Sequence, residues 1–235
     1  MKTMILTLAT VATALLGGCG GGGGGGGPTS TVPVSVAAPP VANPGPTGPT
    51  VLVEAAISSL YAQTHAYDRT ETDPRNGNIY NVKATFTVGA DSAIEGQAAK
   101  TSTITRNLTK NGVAFTSSAQ TDYFQLAPYR LLGSRSPDSS LYLVASSQFP
   151  LPATGKPGDT GKFYTATVYD SVNKNVVLST SVVSWAIGAD TDASVTFCIN
   201  GVTTVNQIAG TTSTSDCYKL NTTGNVIGIG FTVPN

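Results

Sequence analysis

Few residues in this chain could do chemistry. Among 235 residues there are one His, three Cys, and thirteen acidic side chains against thirteen basic ones. His65 is the only imidazole, and so the only ready general base near neutral pH. Reactions that need a His pair or a His-rich metal site are excluded. A Ser and an acid would complete a hydrolase triad around His65, but no Gly-x-Ser-x-Gly elbow occurs. Its place at the end of a helix candidate suits a contact with the last helical carbonyls instead. The oxygen-rich stretch of Asp68, Glu71, Asp73, Asn76 and Asn78 has the donor types that Ca²⁺ takes, at a spacing unlike an EF-hand loop. Asp190 and Asp192 form a thinner acidic pair that an Asx turn explains. These residues predict no catalytic constellation, no resident metal and no cofactor.

The cysteines divide by position. Cys198 and Cys217 lie in neighbouring strand candidates that can pair antiparallel, at a spacing far from a Cys-x-x-Cys redox or metal motif. The expectation is a structural disulfide formed in an oxidising compartment. Cys198 is out of phase with Val195, Phe197 and Ile199, so the bridge should lie on the face opposite that apolar row.

Cys19 stands apart. It follows Lys2 and the apolar run from Met4 to Leu16, too short to span a bilayer stably but fitting the h-region of an export signal. Leu16, Gly17, Gly18 and Cys19 resemble the lipobox of bacterial lipoproteins, with an apolar residue three before the Cys and two small residues ahead of it. The resemblance implies that residues 1–18 are removed and that the Cys19 thiol is acylated. Several acyl chains on one residue anchor durably where a single chain binds only marginally. Gly20 stands where inner-membrane-retained lipoproteins of Gram-negative bacteria usually carry Asp, so the implied destination is the outer membrane. Beyond this segment the chain is similar to Gram-negative lipoproteins in general style and resembles no named domain family.

Eight consecutive glycines, Gly20 to Gly27, follow Cys19, and Pro28 to Thr50 carries no charge. Glycine loses the most entropy on ordering and Pro-rich chain prefers extended polyproline II. Residues 19–50 therefore predict a disordered tether, a flexible joint followed by a stiffer spacer. A phosphate-cradling loop would need a preceding strand, a following helix and usually a Lys, all missing here. The zero net charge leaves no surplus to neutralise phosphates, so no nucleic-acid partner is expected, and the membrane is reached only through the lipid.

Residues 51–235 predict the folded domain. Its polarity comes from hydroxyls, with 34 Thr and 21 Ser in the chain, which favour the exposed faces of strands over helix interiors. One helix opens it: Leu52, Val53, Ala56, Ile57, Leu60 and Tyr61 recur at helical spacing, with Thr50 placed as cap and an end expected near Ala66. A polar break from Asp68 to Asn78 follows. Then Val82, Ala84, Phe86 and Val88 alternate with polar residues, as on a strand with one wet side. Further strands are expected at 100–109, 113–126, 140–149, 162–170, 176–187, 194–199, 202–208, 215–221 and 226–233. Asn111-Gly112 and Asn200-Gly201 carry hairpin-turn chemistry. The C-terminal core is expected from Val183, Trp185, Ile187, Val195, Phe197, Ile199, Ile227, Ile229, Phe231 and Val233. A boundary at Leu132 to Ser140 would split the domain, but no repeated motif marks two copies, and one continuous domain is the reading. The class expected is all-β, an antiparallel sandwich or partly closed barrel with one N-terminal helix.

Two short motifs invite function. Asp159-Thr160-Gly161 resembles the catalytic triplet of aspartic proteases, but it occurs once and in a Pro-Gly turn, so a polar turn is the reading. Leu151-Pro152-Ala153-Thr154-Gly155 resembles a sortase signal but lies far from the C-terminal apolar segment and basic tail that such a signal precedes. The functional expectation is a non-catalytic, outer-membrane-anchored lipoprotein whose domain interacts with a protein or glycan, or serves the envelope structurally. The alternative is a barrel holding a small or glycan ligand near Tyr123, Phe124, Tyr129, Tyr142 and Phe149. A surface hydrolase using His65 is the least favoured.

Overall fold

The computed structural model of the chain describes residues 48–138, 140–191, 193–206 and 210–229. Cys19 and its lipobox, the tether as far as Thr47, Asp192, Phe231 and Val233 lie outside the described residues. The elements are β1 (Val51–Leu52), α1 (Val53–Ala62), β2 (His65–Thr72), β3 (Ile79–Val88), β4 (Ser92–Ile94), β5 (Gln97–Lys110), β6 (Val113–Leu126), β7 (Tyr129–Arg135), β8 (Tyr142–Ser146), β9 (Thr154–Gly155), β10 (Thr160–Tyr169), β11 (Val177–Thr191), β12 (Ser194–Val205), β13 (Gly210–Asn221) and β14 (Val226–Ile229).

Eleven strands hydrogen-bond in the order β2, β3, β5, β6, β7, β8, β10, β11, β12, β13, β14, and β4 pairs with β5 beside this path. Every step is antiparallel. The result is a nearly closed antiparallel barrel, the all-β class that period-two alternation predicts. An odd number of alternating strands has a geometric consequence: the first and last run the same way. β2 and β14 meet running in the same direction, and among the described residues no ladder joins them.

Helix α1 fills the foot of the barrel. Val53, Ala56, Ile57, Leu60 and Tyr61 fall on one helical stripe and all are buried. A helix of ten residues is marginal alone, so this burial is what holds it. The Tyr61 ring lies 6.0 Å from Phe86, 5.4 Å from Phe124 and 5.3 Å from Tyr129, on three different strands. Phe163 and the stacked pair Trp185 and Phe197 extend the layer.

The start of α1 corrects one expectation. The N-cap is Leu52 without a side-chain bond, not Thr50. The first helical amides are satisfied from across the fold, Val53 N donating to Ala153 O at 3.1 Å and Glu54 N to Pro152 O at 3.2 Å. Leu151 is buried, and Thr154 and Gly155 pair with Leu52 and Val51 as a two-strand clamp, β1 with β9. The sortase-like pentapeptide is therefore a structural bracket around the helix entry.

Other differences have identifiable causes. The helix ends at Ala62 rather than Ala66, and His65 opens β2, whose alternation was hidden under its charged and polar side chains. Asn200-Gly201 is not a turn but lies inside β12, where Asn200 pairs with Ser215 and Gly201 with Thr214. Asn111-Gly112 is the expected turn, with φ of 51° and 78°. The boundary region from Leu132 to Ser140 begins within β7, which is laddered to β6 and β8. Of the expected core, Ile199 is only half-buried and Ile227 is exposed, because the β13–β14 register shifts between Lys219 and Leu220 and turns Ile227 out of phase.

A second apolar cluster sits on the outer face. The β4–β5 hairpin folds over the sheet, placing Ile94 and Ala99 with Leu132 and Tyr142. Gly133 lies beneath it, and a Cβ there would stand 2.3 Å from the Leu143 carbonyl oxygen and 2.6 Å from Ile94. Glu95 at the hairpin tip accepts from Tyr142 Oη at 2.7 Å and Lys174 Nζ at 2.6 Å.

Cys198 and Cys217 are directly opposed on β12 and β13 with Cα atoms 4.0 Å apart, and they are disulfide-bonded. They occupy the strand phase opposite Phe197 and Tyr218, which are buried in the core. A bridge across this separation of 19 residues constrains the unfolded chain by roughly 3 kcal/mol. Replacing both by Ser should lower the unfolding free energy by about that amount in urea titration. An unchanged midpoint would show that the bridge contributes nothing.

Candidate functional site

The chemistry-bearing cluster reaches from the barrel interior to its boundary with solvent and begins with charges on the strand phases that also carry the buried apolar residues. On β5, Arg106 shares the inward phase of Ile104 and Leu108. On β6, Asp122 shares that of Phe124, and on β13, Asp216 shares that of Tyr218 and Leu220. Ala84, register partner of Arg106 on β3, leaves room beside the long side chain. Arg106 Nη2 reaches Asp216 Oδ2 at 3.2 Å, an ion pair between strands that are not neighbours in the sheet. The Arg106 side chain is 20% exposed and that of Asp216 53%, so the pair sits where the interior meets solvent.

Asp122 is deeper. Gln120 Nε2 donates to its Oδ1 at 2.8 Å, and Ser102 is its register partner on β5. Burial pushes its carboxyl up to about 7, against the opposing pull of Gln120, Arg106 and Tyr61, while the like charge of Asp216 adds to the rise. Burial raises the phenols of Tyr61, Tyr129, Tyr164 and Tyr218, all facing this cluster; the Asp122 charge adds to each shift, and Arg106 opposes it at Tyr61 and Tyr218. Burial opposes the charge of Arg106, but Asp216 foremost, with the phenols and Asp122, outweighs it and raises the guanidinium. The arrangement can hold one proton on Asp122 and release it near neutrality. Two hydroxyls, Ser102 Oγ and Tyr67 Oη, are buried without a hydrogen-bond partner among the described residues.

The second feature is the seam. Arg69 on β2 crosses it, Nη1 donating to Ile229 O of β14 at 2.8 Å, and it also holds Glu71. A groove of about 460 Å³ runs along it, lined by consecutive residues of both edges, Ala66 to Arg69 and Ile227 to Ile229, with Asp190 and Lys219 at its side. Lys219 Nζ stands 2.6 Å from Asp190 Oδ2, and this contact foremost, with a bond from Ser194, holds the Asp190 carboxyl below its ordinary range.

The residues singled out from sequence fall in separate places. The His65 ring donates from Nε2 to the Ser59 carbonyl of the last turn of α1 at 3.3 Å and stacks on Tyr67. Among the described residues no carboxylate or seryl hydroxyl is bonded to it. The five oxygen donors are occupied by other partners. Asp73 is fully buried and held by Arg75 at 2.9 and 3.0 Å, Glu71 by Arg69, and Asp68 by Asn81 and Lys83. Asn76 accepts from the Asn78 amide and Asn78 from Asn111. Among the described residues no group of three or more His, Cys, Asp or Glu could hold a metal. Asp159 closes its own turn, accepting from Lys156 N at 2.9 Å. The five aromatics do not converge: Phe124 and Tyr129 are in the core, Tyr123 and Tyr142 in the outer cluster, and Phe149 is exposed.

Sequence reasoning missed Arg106, Asp122 and Asp216. Their signal was present: each is a charge on the apolar phase of an alternating strand. Comparison with protein families, characterised proteins and solved structures finds no match.

The elevated Asp122 carboxyl carries a signed consequence. Its folded value of about 7 exceeds the unfolded value of about 3.9, so both states are protonated below pH 4 and no penalty exists there. Between pH 4 and 7 the unfolded chain releases the proton first and stability falls, by up to about 4 kcal/mol, then stays level above 7. Asp122→Asn should flatten this decline in urea unfolding at pH 4.5 and 7.5, while Arg106, Asp216 and the four phenols remain in place. An equal slope in wild type and variant would remove the assignment.

Proposed function

We propose that the chain is a lipid-anchored protein of the Gram-negative outer membrane whose β-barrel domain works by interaction and not by catalysis. The observation that carries this reading is Leu16-Gly17-Gly18-Cys19, followed by uncharged Gly- and Pro-rich chain as far as Thr50. The fold adds support at the point of entry. The chain arrives at the barrel foot through the β1–β9 clamp, so a domain held there presents its opposite hairpin end away from the anchor. Ile79, Val113, Phe115, Val176 and Val177 at those hairpins are exposed, as on surfaces that meet a partner. The non-catalytic part rests on the neighbours of His65, which are a helix carbonyl and a phenol ring.

The test is covalent. In a Gram-negative host the full chain should incorporate labelled fatty acid and sediment with outer membranes, and Cys19→Ala should abolish both. A Cys19→Ala chain that still sediments with membranes overturns the anchor.

A further inference from the structure

Among the described residues, the seam is the one break in an otherwise continuous ladder of eleven strands. β2 spends one edge on β3 and β14 spends one on β13, so the facing edges carry backbone groups that no strand answers among the described residues. Both edges run in the same direction. A single extended segment running the other way between them would be antiparallel to each, the more stable pairing, and would make the strand number even. A shallow, half-open groove of about 460 Å³ runs along these edges. Its lining has two characters: Tyr67 and Ile229 belong to the core, whereas Asp68 and Lys219 point to solvent.

We propose that the β2–β14 seam is an acceptor site for an extended polypeptide strand of a partner protein, running opposite to both edges, with Arg69 as the latch. The proposal rests on the interaction reading and names the partner's chemistry. Backbone amides and carbonyls of the incoming strand ladder onto Ala66–Arg69 and Ile227–Ile229. Alternate apolar side chains pack toward Tyr67 and Ile229, and the intervening hydroxyl or small residues face outward. Admission needs the two edges about 9 to 10 Å apart, twice the ordinary strand spacing, so the Arg69 bond to Ile229 O must release first.

The probe is an end-blocked hexapeptide alternating Thr and Val, mixed with the full chain and read by amide hydrogen exchange. Exchange in residues 65–72 and 226–229 should slow with peptide, while residues 160–169 stay unchanged. Arg69→Gln should bind the peptide about tenfold more tightly, the weight of one charge-assisted hydrogen bond no longer broken on entry. A control hexapeptide with Pro at alternate positions lacks the ladder donors and should protect neither edge. Absence of protection at both edges in wild type and Arg69→Gln alike overturns the proposal, as does equal protection by the Pro peptide. Should the chain capture another partner with these amides unaffected, the strand site falls and the interaction reading stands.

Discussion

A rolled sheet must be filled from within, and that constraint governs this molecule. About eight strands enclose a space that their own side chains just fill, and this sheet has more. The surplus at the foot is taken up by α1, whose Val53, Ala56, Ile57 and Leu60 are fully buried. Tyr61 then meets aromatic rings on β3, β6 and β7. Ordering so short a helix depends on the strands, and keeping the strands apart at the foot depends on the helix. The loop from Leu151 to Gly155 belongs to the same device, since its carbonyls receive the helix amides that no side chain caps.

Farther along the interior the filling changes from apolar to ionic. Arg106 and Asp216 join non-neighbouring strands across the inside, a contact that holds the barrel walls together as a core side chain would elsewhere. Asp122 takes a position with little solvent and several phenols, and its carboxyl is shifted to neutrality as a result. The Arg106–Asp216 pair is a small source of net stability, because Asp216 is 53% exposed and solvent screens the attraction there. Their retention among Ile104, Leu108 and Phe124 is better matched to specifying which walls meet.

The alternation of Val82 to Val88, of β5 and β6 and of β11 to β13 made the class legible before any coordinates, as did the period of α1. The pairing of Cys198 with Cys217 was legible too, since strand phase alone set its face. What stayed hidden had physical reasons. β2 carries Arg69 and Glu71 on its inward phase, so hydrophobicity gave no signal there. β7 joins Tyr129, Leu131 and Leu132 to a polar tail that reads as a linker. Asn200-Gly201 has the composition of a turn, but lies in mid-strand facing Thr214, whose hydroxyl occupies the space beside Gly201 and would have to rotate away from an added Cβ 2.6 Å distant. Long-range partners such as Arg106 and Asp216, 110 positions apart in number, follow from closure and not from local pattern.

The two-residue clamp of Val51 and Leu52 on Gly155 and Thr154 lies between the N-terminal chain and the helix. Any drag on that chain is delivered to these few bonds before it reaches α1. Because β9 is held in turn by the helix entry through Pro152 and Ala153, a pull is shared with the loop instead of levering Tyr61 out of the aromatic layer. The clamp thus acts as a strain relief at a cable's entry, and a pull arriving through the preceding chain need not withdraw the plug of the barrel.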